Sequence, residues 1–185
     1  PSDVSLCVTP RGQQGAAAWN AVVDGLLDYR GILPLAYGRT TGAGTVRIAG
    51  LYSQSTYGAT FGACRLELAG TDGVFPVYED LRLGHGIFCL DGTTLAPTGG
   101  TLVVTSAVHP KSRTILYVDE GGVVFDVPNG TCLTLGGDGE TFLFGGPGGV
   151  VKRGAGRLRF ATVDDLHEGP TVIREGTYEL ATDTA

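Results

Sequence analysis

Residues 154–160 read Gly-Ala-Gly-Arg-Leu-Arg-Phe, and residues 42–48 read Gly-Ala-Gly-Thr-Val-Arg-Ile, at an offset of 112 residues (154 minus 42). In both stretches, glycines precede apolar residues that alternate with polar ones. The same offset relates residues 65–69 to residues 177–181, which alternate in the same way. A period of two is typical of a β-strand with one buried face. The chain therefore repeats a unit of glycine turn, strand, spacer and second strand.

Within each copy, the strand recurs after about 20 residues, from Val46 to Leu66 and from Leu158 to Tyr178. This spacing is that of one coil of a β-solenoid, in which each coil buries its apolar face only against its neighbours. We therefore expect an all-β protein whose coils stack with these positions aligned. A β-sandwich or jelly roll is the alternative, because short strands with glycine turns are typical of those folds too.

The composition fits a folded β-domain. Glycine accounts for 31 of the 185 residues, more than twice its usual share of about 7%, and it falls between short apolar runs, where it favours turns. Hydrophobic residues make up 42% and charged residues 17% of the chain, which excludes a disordered acidic tail. We expect one domain over residues 1–185, with an N-terminal strand and helical cap in 1–40 and coils in 41–185.

The N-terminal part carries a different pattern. Residues 4–8 read as a short strand, and residues 14–29 carry apolar side chains at helical spacing. Gly31 and Pro34 follow as helix stop signals. Since the ends of a solenoid must be covered, the sequence predicts that this helix caps the first coil.

A known family enters at the C-terminal copy. Residues 148–160 read Gly-Gly-Val-Val-Lys-Arg-Gly-Ala-Gly-Arg-Leu-Arg-Phe, followed by Gly-Pro-Thr-Val at 169–172 and Glu-Gly-Thr-Tyr-Glu-Leu at 175–180. This succession resembles the autotransporter-associated β-strand repeat over residues 142–181. Residues 42–69 resemble it less closely, because Gly-Ala-Cys at 62–64 replaces the usual turn. The resemblance implies a right-handed parallel β-helix of a bacterial surface or secreted protein, and a scaffold rather than a chemistry.

Residues that could support catalysis or metal binding do not form recognisable motifs. His85, His109 and His167 have no metal-ligand spacing. The acidic cluster of Asp164, Asp165 and Glu168 lacks the spacing of a calcium loop and reads as a solvated loop. The chain also lacks the Gly-x-Ser-x-Gly nucleophile motif and a phosphate loop. We therefore predict a protein that is not an enzyme and has no catalytic, cofactor or metal site.

The cysteines leave two possibilities open. Cys7, Cys64, Cys89 and Cys132 form no Cys-x-x-Cys pair. In an oxidising compartment they could form two disulfides, and otherwise they are buried free thiols that act as small apolar residues.

Two sets of residues are candidate partner surfaces. Tyr52, Tyr57 and Phe61 could form an aromatic patch that binds a glycan or a protein, or could cover the side of the solenoid. The strand at residues 4–8, with Val4, Leu6 and Val8, could be donated to a neighbour. The solenoid ends are further candidates for self-association or for contact with a neighbouring domain.

These observations favour a structural or adhesive extracellular protein, either a passenger-type segment or a filament or surface-layer subunit. A carbohydrate-active β-helix enzyme and a viral fibre or capsid decoration protein are the alternatives. The net charge of −6 argues against nucleic acid as the partner, and no apolar run is long enough to span a membrane.

Overall fold

The computed structural model describes residues 4–10, 17–35, 37–53, 59–78, 85–106, 113–137, 141–161 and 163–180. The regular elements in these ranges are all β-strands, and no helix among them could cross a membrane. The strands are β1 (Val4–Pro10), β2 (Ala17–Val23), β3 (Leu26–Leu35), β4 (Tyr37–Thr41), β5 (Thr45–Ser53), β6 (Ala59–Gly62), β7 (Arg65–Leu68), β8 (Val74–Tyr78), β9 (His85–Asp91), β10 (Thr93–Pro97), β11 (Thr101–Ser106), β12 (Arg113–Val118), β13 (Val123–Asp126), β14 (Cys132–Leu135), β15 (Thr141–Gly146), β16 (Val150–Arg153), β17 (Arg157–Phe160), β18 (Val163–His167), β19 (Thr171–Ile173) and β20 (Thr177–Leu180).

The strands wind into a parallel β-solenoid with three faces. Face 1 consists of β2, β4, β6, β9, β12, β15 and β18. Face 2 consists of the first halves of β3 and β5, followed by β7, β10, β13, β16 and β19. Face 3 consists of the second halves of β3 and β5, followed by β8, β11, β14, β17 and β20. The described strands thus make seven coils, and the first two use one long strand for faces 2 and 3.

The predicted coil register is confirmed. Val46 pairs with Leu66 between β5 and β7, and Leu158 pairs with Tyr178 between β17 and β20. Both pairings are parallel, as stacked coils require and as an antiparallel sandwich would not allow. The two predicted spacings therefore each measure one turn of the solenoid.

The repeat at an offset of 112 residues has a narrower meaning than the sequence indicated. Residues 42–44 turn the chain from face 1 to face 2, whereas residues 154–156 turn it from face 2 to face 3. The two units are therefore alike in local structure but lie at different corners. Coil length also varies with the loops, because Leu26 pairs with Thr45 whereas Thr101 pairs with Cys132.

The predicted N-terminal helix over residues 14–29 is wrong. Its described part forms β2 and β3, in which Ala21 and Val23 are buried while Val22 between them is 49% exposed. This alternation matches a strand, and pairing with β1 and β4 satisfies the backbone of β2 without a helix. The cap on face 1 is instead β1, which pairs antiparallel with β2 of its own chain.

The core is a set of inward-facing columns that run along the solenoid axis. Phe125, Phe144 and Phe160 meet there, with ring centroids 5.2 Å apart for Phe144 and Phe160 and 6.3 Å apart for the other two pairs. Each buried aromatic side chain contributes roughly 1.5–3 kcal/mol through apolar burial. Because residues of neighbouring coils share each column, no coil has a core of its own.

Glycine is required where a corner lies directly against the coil below it. Gly154 has a φ of +77°, and a Cβ there would overlap the carbonyl oxygen of Val127. The amide of Gly156 donates to the same carbonyl, with N and O 2.9 Å apart. Corner backbones of successive coils are thus in direct contact, which leaves no room for a side chain at these positions.

A matched pair of glycine substitutions separates this steric requirement from the cost of positive φ. Gly130 has a φ of +73°, close to that of Gly154, but open space where its Cβ would lie. We expect Gly130→Ala to lower the free energy of unfolding by roughly 1–2 kcal/mol, and Gly154→Ala to lower it by at least about 2 kcal/mol more. Urea unfolding of both variants measures the difference. Equal losses would contradict the backbone contact at the corner.

Candidate functional site

A column of charged side chains runs up the outside of face 2. We call it the charged column, and it occupies equivalent register positions on five strands: Asp28 (β3), Arg47 (β5), Glu67 (β7), Asp126 (β13) and Arg153 (β16). On β10, between Glu67 and Asp126, the position belongs to Ala96. The charges therefore lie above one another because the coils are in register.

The members of the charged column are joined by ion pairs. Arg47 donates to Glu67 through Nη2 at 2.7 Å and Nε at 2.9 Å. Arg65, two residues before Glu67, donates to it at 3.1 Å and to Asp126 at 2.8 Å. Arg153 also binds Asp126, at 3.2 Å. Arg65 extends across β10 because Ala96 there is small and buried.

The arginines shift the acid–base equilibria of both carboxylates. Partial burial by itself raises the pKa of Glu67, but the hydrogen bonds and charges of Arg47 and Arg65 outweigh it and hold this pKa below its ordinary value of 4.5. Asp126 shows the same balance, since the hydrogen bonds from Arg65 and Arg153 hold its pKa below 3.8 despite burial. Single exposed pairs contribute little, but this network connects four coils.

A cleft opens beside the N-terminal end of the charged column, at the corner between faces 2 and 3. Its volume is about 420 Å³. The cleft forms because β5 runs through this corner without a turn, whereas the next coil projects a tight turn from Thr71 to Val74, closed by backbone hydrogen bonds of 2.8 and 2.9 Å. The lining residues are Asp28, Arg47, Ala49, Ala69, Gly70, Thr71 and Thr98.

A second, more apolar groove of about 250 Å³ lies at the corner between faces 1 and 2. Glycines form much of its floor, since Gly92, Gly122 and Gly149 stack with their backbones in contact through hydrogen bonds. Val124, Val151 and Val172 form one wall, at matching positions of successive strands.

The C-terminal coil leaves core positions open. Ile173 and Leu180 occupy the positions next to the buried Lys152 and Phe160, yet they are 53% and 59% exposed. Tyr178 is partly covered by the ring of Phe160, with centroids 5.2 Å apart. The inward columns thus reach this end without a further coil over them in the described structure.

Lys152 holds this last coil in place. Its side chain is fully buried, and Nζ donates to the carbonyls of Arg153 at 2.9 Å, Gly154 at 2.6 Å and Glu175 at 3.1 Å. Burial lowers the pKa of this ammonium group. The sequence prediction did not single out Lys152. The signal was a lone lysine two residues before a glycine corner, where carbonyls point inward.

The predicted partner surface is only partly described. Phe61 is fully buried in the core, so it cannot contribute to an exposed aromatic patch. The side chain of Tyr52 and all of Tyr57 lie outside the described residues. Val4, Leu6 and Val8 lie on β1, which pairs within the chain instead of being donated, and their side chains also lie outside the described part.

The cysteines do not form the predicted disulfides. Cys64, Cys89 and Cys132 are free thiols, because the fold places them apart: Cys64 before β7, Cys89 on face 1 and Cys132 on face 3. Burial raises the pKa of Cys64 to about 11 and also raises that of Cys89. These two thiols are therefore poor nucleophiles at neutral pH. The side chain of Cys7 lies outside the described residues.

The histidines and acids of the sequence analysis are dispersed. Asp164 and Asp165 lie in β18 and not in a loop, with His167 at the end of the same strand. The ring of His167 lies against Phe144, and one nitrogen is 3.2 Å from the hydroxyl of Thr171. His85 begins β9, and His109 lies outside the described residues. Across the described ranges, no three His, Cys, Asp or Glu side chains converge as metal ligands.

The fold defines a β-solenoid with clefts at its corners, and comparison with known proteins relates it to surface proteins. No protein-family model and no solved structure matches the chain. Among curated proteins it is similar to the adhesin BmaC autotransporter of Brucella suis biovar 1 (strain 1330), at 34% identity over 112 residues, which are 60% of this chain and 3% of the adhesin. The chain thus corresponds to a small part of that relative, and the predicted relation to autotransporters is supported at this level.

The charged column makes stability depend on acid. Since Glu67 and Asp126 have folded-state pKa values below their ordinary values of 4.5 and 3.8, their contribution is complete above pH 4.5 and is lost as the pH falls through the folded values. We expect the double variant Glu67→Gln, Asp126→Asn to be less stable at pH 7 by roughly 1–2 kcal/mol and to lose less stability than the parent protein between pH 7 and pH 3.

Urea unfolding at both pH values measures this, with Glu120→Gln as the control because Glu120 is exposed and outside the charged column. The control should follow the parent protein. The same pH-dependent loss in the double variant and the parent would contradict the role of these carboxylates.

Proposed function

We propose that this chain is part of a bacterial cell-surface adhesin, in which it serves as a stiff, non-enzymatic β-solenoid. The observation that carries the proposal is the combination of in-register parallel coils with similarity to an autotransporter adhesin. The function of such a segment is to extend and present surface, since a solenoid exposes long faces and keeps its core between coils.

Stiffness follows from interactions that cross coil boundaries. The inward aromatic contacts and the charged column both connect residues of different coils. With strands about 4.8 Å apart, the seven described coils extend roughly 30 Å along the axis. Bending this rod would separate aligned hydrogen bonds and ion pairs on one face.

Adhesion can be measured directly. We expect beads coated with the folded chain to attach to cultured epithelial cells several-fold more than beads coated with serum albumin. Beads coated with heat-unfolded chain serve as the matched control and should attach no more than albumin-coated beads. Equal attachment of folded chain and albumin would contradict the adhesive function.

We further propose that the open C-terminal coil is a contact site for a second copy of the chain. Ile173 and Leu180 support this, because they extend core columns and remain largely exposed. The free edges of β19 and β20 in the described structure offer backbone groups for pairing. At the other end, β1 occupies the corresponding edge of face 1.

This contact predicts association that depends on concentration. In sedimentation velocity, we expect the sedimentation coefficient of the parent protein to rise with concentration, and that of the Ile173→Lys, Leu180→Lys variant to stay at the monomer value. Tyr117→Lys is the matched control, since Tyr117 is an exposed apolar residue on face 1 away from this end. A parent protein that stays monomeric at every concentration would exclude the contact.

A further inference from the structure

The cleft beside the charged column has the shape of a small-molecule site. Its volume of about 420 Å³ falls within the roughly 300–1,000 Å³ of ligand pockets. Ala49 and Ala69 form a floor of small side chains at consecutive coils, and Gly70 adds exposed backbone at the corner. A ligand could therefore approach the backbone closely while its edges meet the polar walls.

The walls of the cleft offer donors and acceptors on opposite sides. Asp28 and Arg47 lie on one side, and the exposed Thr71 and Thr98 lie on the other. A carboxylate only accepts hydrogen bonds, a guanidinium only donates them, and a hydroxyl does both. A ligand that matches this lining must itself donate and accept around its rim, as a polyhydroxylated ring does.

The charge of the cleft favours a neutral ligand. The guanidinium of Arg47 lies between two carboxylates, 2.7 Å from Glu67 and 3.6 Å from Asp28. Its positive charge is therefore already balanced by the protein. A phosphate or an acidic sugar would meet Asp28 without a free cation among the lining residues, and like-charge contact is unfavourable.

We propose that this cleft binds a neutral hexose unit of a surface glycan. The lining residues include no aromatic ring, so the sugar is held by hydrogen bonds rather than by stacking, and single-site affinity is weak. The setting of this site rests on the proposed adhesive function, but binding itself does not require that function.

The test is a titration followed by ¹H–¹⁵N correlation spectra of the full chain. D-Glucose, D-galactose, D-mannose and N-acetyl-D-glucosamine are the probes, with inorganic phosphate and N-acetylneuraminic acid as anionic comparisons. We expect saturable shifts of the Ala49, Ala69, Gly70, Thr71 and Thr98 amides with at least one of the four neutral sugars, and weaker or no shifts there with the anions. No saturable shift with any neutral sugar, shifts confined to other regions, or tighter binding of an anion would overturn the proposal.

Two threonine variants test the placement of the site. Thr98→Val removes a hydroxyl from the cleft wall and should weaken sugar binding about tenfold, which corresponds to loss of one to two hydrogen bonds. Thr94→Val, also on the outside of face 2 but not in the cleft, should bind like the parent protein. The same spectra show whether each variant is folded. Unchanged binding by Thr98→Val would overturn the assignment.

The outcome is separable from that of the bead assay. Attachment of beads without any sugar titration would refute only the cleft, and cells would then be bound through another surface. Sugar binding without bead attachment would refute only the adhesive function. A cleft variant with intact folding and reduced attachment would support both.

Discussion

Parallel hydrogen bonding between coils is the constraint on which the structure depends. It places equivalent positions of successive coils directly above one another, so that Val46 lies on Leu66 and Leu158 on Tyr178. Every other feature follows from this alignment. Apolar side chains form columns inside, charges form a column outside, and corner backbones contact one another so closely that glycine is required.

The sequence carried the coil repeat because its information is local. Alternation and glycine turns predicted strands and one coil spacing correctly at two places. The helix over residues 14–29 failed because Ala21, Val22 and Val23 fit either period, and pairing with β1 and β4 decided between them. The faces were equally out of reach, since similar Gly-Ala-Gly turns lie at two different corners.

The candidate site was mostly beyond sequence reasoning for a related reason. Arg65 and Asp126 are 61 residues apart and meet only because Ala96 in the intervening strand is small. The cleft depends on one coil having a turn where its neighbour has none, which residue type does not reveal. Phe61 was misplaced because an aromatic residue in a spacer can face either way, and here it faces the core.

Lys152 has a consequence for how the rod responds to force. Its ammonium group binds carbonyls of its own coil and, through Glu175, of the last coil, whose residues 171–177 are exposed. In an array of nearest-neighbour contacts, opening begins where the contacts are fewest. An axial pull would therefore peel the last coil first, and the strength of this single fastening would set the load at which the peeling starts.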